Sequence, residues 1–173
     1  SRLGALNSLV QTALKLSCPG VPDIYQGAEL WDLNLVDPDN RRPPDFALRA
    51  RLIAEVAEFD SLPPEKRADL VRHWRKNWRD GRIKLHLARC MLDFRKGWNQ
   101  IFANGDYQPL DVAGDEASRV VAFTRRHEQS AVTILTGRCF AQALPNDATI
   151  PTTETWGDTF VDWPDNGADR LTD

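Results

Sequence analysis

Between Glu29 and Asp45 the chain gathers the side chains best suited to chemistry: the carboxylates Glu29, Asp32, Asp37, Asp39 and Asp45, the amide Asn40, and the adjacent guanidiniums Arg41 and Arg42. Two carboxylates can cleave a glycosidic bond. They stand roughly 5 Å apart in a retaining enzyme and about 6.5 Å or more apart in an inverting one. An arginine fork can grip a carboxylate and fix a loop, or join Asn40 in hydrogen-bonding sugar hydroxyls. Tyr25 and Trp31 flank the end of the short apolar run that leads into this stretch, and their faces could stack on sugar rings or pack into a core. Spacing does not choose between these roles. Acidic residues in a stretch punctuated by Pro38, Pro43 and Pro44 also cap helices and form turns.

Other chemistries lack their residues. No serine has the Gly-flanked elbow of a hydrolase, and no Gly-rich loop is built to cradle phosphate. Cys18, Cys90 and Cys139 are odd in number and widely spaced, which predicts buried thiols rather than disulfides or a metal site. His73, His86 and His127 are scattered and read as packing or surface residues. No metal and no cofactor is expected. A net charge of -3 gives no pull toward nucleic acid or an anionic membrane. The basic residues between Lys66 and Arg95 are interrupted by acids and read as a solvated helix face. No apolar run is long enough to span a membrane.

The elements that must position these groups follow from periodicity. Leu3, Leu6, Val10, Ala13 and Leu14 predict a helix over residues 3–17, stopped by Pro19-Gly20. Val21 to Tyr25 is short, apolar and bounded by Pro and Gly, and predicts a buried strand that delivers the acidic loop. Asp45 is placed to cap the next helix, with Leu48, Leu52, Val56 and Phe59 as its apolar stripe. Pro64 opens another helix, striped by Ala68, Val71, Trp74 and Trp78. Ile83, Leu87, Met91 and Phe94 predict one more, ended by Gly97. After about residue 100 the pattern turns to β. Asn104-Gly105-Asp106 signals a turn. Strands are expected over Tyr107 to Val112, Val120 to Thr124, Ala131 to Leu135 and Thr159 to Trp163, with a hairpin link at His127 to Ser130. The predicted class is α+β: a helical segment, then a small antiparallel β-sheet or sandwich, divided near Ile101.

The stretch GVPDIYQGAELWD, residues 20–32, resembles the eighth strand of the (β/α)8 barrel of the α-amylase superfamily, glycoside hydrolase family 13. Tyr25, Gly27 and Glu29 match its PxxYxG-type strand end and following acidic residue. LVDPDNRRPPD, residues 35–45, narrows the resemblance to the maltooligosyl trehalose synthase branch, the (1→4)-α-D-glucan 1-α-D-glucosylmutases. Asp80-Gly81-Arg82-Ile83-Lys84 and Phe102-Ala103-Asn104-Gly105-Asp106-Tyr107 also resemble that branch, and Trp156-Gly157-Asp158-Thr159 fits more faintly.

The resemblance implies that residues 1–100 are the last part of a truncated barrel with a helical extension, and that residues 101–173 are a β-rich C-terminal domain. It implies an enzyme of trehalose biosynthesis that converts the reducing-end α-1,4 bond of a maltooligosaccharide to an α,α-1,1 bond. The nucleophilic Asp, the acid/base Glu and a helper Asp of that family lie at strands four, five and seven, ahead of this segment. No catalytic residue is therefore assigned here, and the isolated chain is expected to be inactive. The residues expected to border the substrate are Tyr25, Gln26, Glu29, Trp31, Asp37, Asp39, Asn40, Arg41 and Arg42. The alternatives are a non-catalytic module that binds glucan or steadies the barrel, or a piece of another hydrolase or glucanotransferase of the superfamily. The chain shows no signal peptide and no initiator Met, and is expected to be a cytoplasmic piece of a longer protein. An unpaired barrel strand invites pairing or aggregation. Residues 20–45 are thus expected to be rearranged, mobile or covered by another copy. An ordered monomer with Val21 to Tyr25 exposed would count against that.

Overall fold

The computed structural model describes residues 1–32, 41–144 and 150–162. Residues 11–98 pack as one unit; residues 1–10 and those from Asn99 onward form the other. Together they combine helices with small antiparallel sheets.

Helix α1 (Arg2–Ser17) stops where Pro19 cannot continue it. One of the carbonyls exposed by that stop is taken up by Arg95, whose Nη1 donates to Leu16 O (2.9 Å), while its Nη2 donates to Gly20 O (3.0 Å) beyond the helix. The chain then runs extended through Val21–Tyr25, where the expected buried strand does not form. No described strand pairs with it. Pro22 and Ile24 turn inward, Val21, Asp23 and Tyr25 turn outward, and Val21 is 97% exposed. A lone strand has no ladder to satisfy its N–H and C=O groups, and such groups tolerate that only where they are open to solvent. The exposed run, with no described strand beside it, corrects the expected buried strand.

Asp45 caps α2 (Phe46–Ala57), its Oδ1 accepting from Leu48 N at 2.8 Å. A 3-10 turn (Glu58–Ser61) leads to α3 (Pro64–Lys76), with Pro64 in the first turn, and then to α4 (Arg82–Gly97). Leu30, Leu52, Val56, Trp74 and Leu85 form the buried core, with Leu48, Phe59, Leu70, Val71 and Ile83 packed around it. Burying each of these large side chains contributes about 1.5–3 kcal/mol. The stripe of α2 lies as predicted. On α3, Leu70 joins Val71 and Trp74 inside while Ala68 is exposed. On α4 the inward face is Lys84, Leu85 and Ala88, and Phe94 is 42% exposed. The predicted stripe lies beside this face: Ile83 packs on the core, Leu87 and Met91 are half-buried, and the fully buried positions include a lysine that breaks the hydrophobic pattern.

In the second unit, α5 (Asn99–Asn104) buries Ile101 and Phe102. Its end turns at Gly105, where an added Cβ would fall 2.3 Å from Ile101 O, so only glycine fits. Strands β1 (Asp106–Pro109), β3 (Val120–His127) and β4 (Ser130–Gly137) make an antiparallel sheet in the order β1-β3-β4. The hairpin link lies where it was read, with His127 opposite Ser130. Residues 107–112 do not make one strand. Pairing with β3 ends at Pro109, and β2 (Val112–Ala113) pairs instead with β5 (Phe160–Val161). Trp163 lies outside the described residues. The central strand β3 is covered on both faces: Ala122, Phe123, Thr124 and Arg125 are all buried. Arg125 Nη2 donates to Phe102 O (3.2 Å) and Gly105 O (2.9 Å), tying the sheet to the end of α5. Short helices α6 (Phe140–Ala143) and α7 (Thr153–Trp156) complete the unit. The thiols are not buried as expected: Cys139 is exposed, and Cys18 and Cys90 are half-buried.

His86 stacks between Phe59 (4.3 Å between centroids) and Trp74 (5.1 Å). Burial pushes its imidazole below the ordinary 6.5; Arg89 adds to this and Asp60 opposes it. The folded chain thus binds fewer protons than the unfolded one as pH falls below 6.5, and stability drops there until the folded pKa is passed, by up to about 1.4 kcal/mol per pH unit. Melts between pH 7.5 and pH 5 (about the range where His titrates) should show this decline, and His86→Phe should flatten it.

Candidate functional site

The segment Tyr25–Trp31 is where the expected site residues come together. It contains no helix or strand. A turn closes with Ala28 N donating to Tyr25 O at 3.0 Å, and Gly27 at φ +95° supplies the left-handed residue that a type II turn needs. Glu29 folds back over the turn, its Oε2 accepting from Gly27 N at 3.0 Å. Its Oε1 pairs closely with Arg49 Nε of α2. Arg49 goes further: Nη2 donates to Gly27 O (3.0 Å) and Nη1 to Asp45 O (3.1 Å). The guanidinium is largely buried, with 15% of the side chain exposed.

A second cation holds the far end of the segment. Lys84 Nζ donates to the buried Leu30 O at 2.8 Å and lies 5.6 Å from the centre of the Trp31 ring. Burial pushes the amine below its usual range, Lys15 adds to this, and Asp32 and Glu29 pull it back. Trp31 meets Trp78 edge to face (5.9 Å) and donates from Nε1 to Trp78 O at 2.6 Å. The turn bearing Trp78 is itself braced by Arg82, which bonds Glu55 Oε2 from Nε (2.9 Å) and Nη2 (2.7 Å) and also pairs with Asp80.

Of the expected site residues, Tyr25 is 52% exposed and Gln26 is exposed beside it. Glu29 and Trp31 are engaged with Arg49 and Trp78. Arg41 and Arg42 are exposed, while Asp37, Asp39 and Asn40 lie outside the described residues. The segment thus presents Tyr25 and Gln26 outward and uses Glu29 and Trp31 to hold its shape. Sequence reasoning missed Arg49 and Lys84. Arg49 is on the half-buried side of α2, one turn past its cap. Lys84 is the polar residue inside an otherwise apolar face, which was the available signal. Among the described residues no group of three His, Cys, Asp or Glu could hold a metal ion, and no helix is long and apolar enough to cross a membrane. In the second unit a shallow groove of about 310 Å³ is lined by Leu135, Thr136, Trp156, Thr159 and Phe160 among others.

No protein-family model matches the chain. It is 35% identical over 119 residues to proteins of two Mycobacterium tuberculosis strains assigned as maltooligosyl trehalose synthases; the match takes in 69% of this chain and 12% of each relative. Its fold is similar to the maltooligosyltrehalose synthase of Arthrobacter ramosus, with a TM-score of 0.65 and 31% identity over 92% of this chain and 18% of that one. A further maltooligosyl trehalose synthase crystal structure is similar over 72% of this chain and 15% of its own, with a TM-score of 0.58 and 31% identity. The chain therefore corresponds to a segment of maltooligosyl trehalose synthases and spans about an eighth of the length of the curated relatives it matches.

Lys84→Met would keep most of the side-chain volume and leave Leu30 O without its buried donor. The expected loss is about 1–3 kcal/mol of stability, read by urea unfolding. The charged amine is the disfavoured form in the fold, so the native protein gains stability as pH rises from the folded pKa toward 10.5. The variant should lack that gain.

Proposed function

We propose that the chain is a segment of a maltooligosyl trehalose synthase, an isomerase of trehalose biosynthesis in the α-amylase superfamily that rearranges the reducing end of maltooligosaccharides in the cytoplasm. The observation that carries the reading is the joint likeness in sequence and fold to synthases over most of the chain, with the turn at Tyr25–Trp31 built as one unit. In this reading residues 1–100 finish a (β/α)8 barrel and the remainder is its β-rich companion domain. Val21–Tyr25 is the last barrel strand; its extended, alternating backbone supports that. Active sites of such barrels lie at the C-terminal ends of the strands, where this segment would sit.

The reaction breaks the terminal α-1,4 bond, leaving a covalent glycosyl-enzyme and a free glucose. The anomeric hydroxyl of that glucose then attacks, forming the α,α-1,1 bond. Its proton goes to the acid/base carboxylate. Water in place of the glucose gives hydrolysis instead. The reacting carboxyl groups are supplied by other strands, and this segment supplies the wall. Tyr25, Gln26, Glu29, Trp31, Asp37, Asp39, Asn40, Arg41 and Arg42 shape the space for the reducing-end glucose and keep water out.

In the full-length enzyme, Arg42→Ala should lower the ratio of trehalose-end formation to hydrolysis without loss of folding; an unchanged ratio would reject the wall role. The chain alone, incubated with maltopentaose, should yield no non-reducing product. A product would reject the view that its chemistry resides elsewhere. Binding without conversion would favour a glucan-binding module instead, for which the groove beside Trp156 and Phe160 is one surface among the described residues.

A further inference from the structure

The guanidinium of Arg49 meets three acceptors, two in the Tyr25–Trp31 segment and one at the cap of its own helix. It binds the turn through Gly27 O, the acidic residue of the segment through Glu29, and the cap of α2 through Asp45 O. Each of these groups is already committed elsewhere in a way that suits the arrangement. Glu29 also accepts from Gly27 N, so the carboxylate and the turn are locked to each other before the arginine joins. Asp45 caps the helix with its side chain on Leu48 N, and its carbonyl accepts from both the backbone N (3.2 Å) and Nη1 (3.1 Å) of Arg49. Gly27 has φ +95°, and a Cβ there would lie 3.3 Å from Arg49 Nη2, so the turn leaves the space that the guanidinium occupies. A planar fork holds donors at fixed, separated positions that match three spread acceptors; the three donors of a lysine ammonium radiate from one atom and do not match that spread.

We infer that Arg49 is a positioning residue: through Glu29, Gly27 and Asp45 it clasps the Tyr25–Trp31 segment to the start of α2, and thereby sets the partition between glucosyl transfer and hydrolysis. The inference rests on the synthase reading above. Arg49 touches no reacting atom; it acts by holding Tyr25 and Gln26 where they face the sugar. Small displacements of such a wall matter, because a shift of about 1 Å can cost about a hundredfold in a positioned reaction. A loosened wall admits water, which competes directly with the glucose for the same intermediate.

The test measures trehalose-end formation against glucose release from maltopentaose in the full-length enzyme. Arg49→Lys should lower that ratio about tenfold, mainly through kcat for transfer, with KM changed much less. Glu29→Gln keeps an oxygen for Arg49 but removes the charge that pairs with it, and should lower the ratio in the same direction by less than Arg49→Lys. Gly27→Ala strains the turn and crowds Arg49 without altering any charge, and should act in the direction of Arg49→Lys. If Arg49→Lys fails to fold, Gly27→Ala and Glu29→Gln carry the test. A lower melting temperature with an unchanged ratio in these variants would make the clasp merely structural and overturn the inference. An unaltered enzyme that forms no trehalose end overturns the functional reading, and the inference with it. Normal synthesis with an unchanged ratio in Arg49→Lys and Gly27→Ala overturns the inference alone.

Discussion

A backbone carbonyl removed from water must be given a donor, and the segment Tyr25–Trp31 has no helix or ladder to provide one. Leu30 is drawn into the core with Leu52, Val56, Trp74 and Leu85, and its carbonyl goes in with it. The donor is Lys84. That single bond accounts for a lysine on the inward face of α4. The amine also carries a desolvation cost that a helix interior would ordinarily reject. At the other end of the segment Gly27 O meets the same need through Arg49. The irregular stretch thus has a defined shape because two cations on two different helices stand in for the strand neighbours it lacks.

This explains what the sequence made legible and what it hid. Asp45 as a cap, the stripe of α2, Pro64 in a first turn, and the β3–β4 hairpin all depend on local rules, and they were read correctly. The inward face of α4 was not, because hydrophobic periodicity cannot anticipate a lysine that goes inside to serve a carbonyl 54 positions earlier. Val21–Tyr25 was read as a buried strand from its shortness, its apolar character and its bounding Pro and Gly. Its extended form was legible, but burial depends on neighbours that composition does not reveal. The strand predicted over residues 107–112 is split between two sheets: Leu110 N still donates to Ala122 O of β3 at 3.0 Å, and Val112 then pairs with Val161.

The candidate site shows the same division. Its chemistry-bearing residues were conspicuous: an acid, two aromatics and paired arginines near one turn. What the structure adds is which of them are spent. Both oxygens of Glu29 have partners, and the indole of Trp31 donates to Trp78 O. A residue so occupied is better placed to hold a shape than to change partners for a ligand. Tyr25 and Gln26 are the ones presented to solvent. The residues that do the holding, Arg49 and Lys84, sit in helices that read as packing.

Spending charge on rigidity suits a transglucosylase more than a hydrolase. A hydrolase needs only to admit water, which finds its own way to the intermediate. An enzyme that returns the released glucose to the same centre must keep that glucose oriented while denying entry to a smaller and far more concentrated competitor. Binding energy alone cannot do this, because water needs no pocket. The wall must therefore be stiff before the sugar arrives, since ordering it at the moment of reaction would cost entropy and leave time for leakage. Charged hydrogen bonds to buried carbonyls are among the stronger ways to fix irregular backbone. In the synthase reading, the two cations beneath Tyr25–Trp31 are the feature of this segment that bears most directly on which acceptor wins.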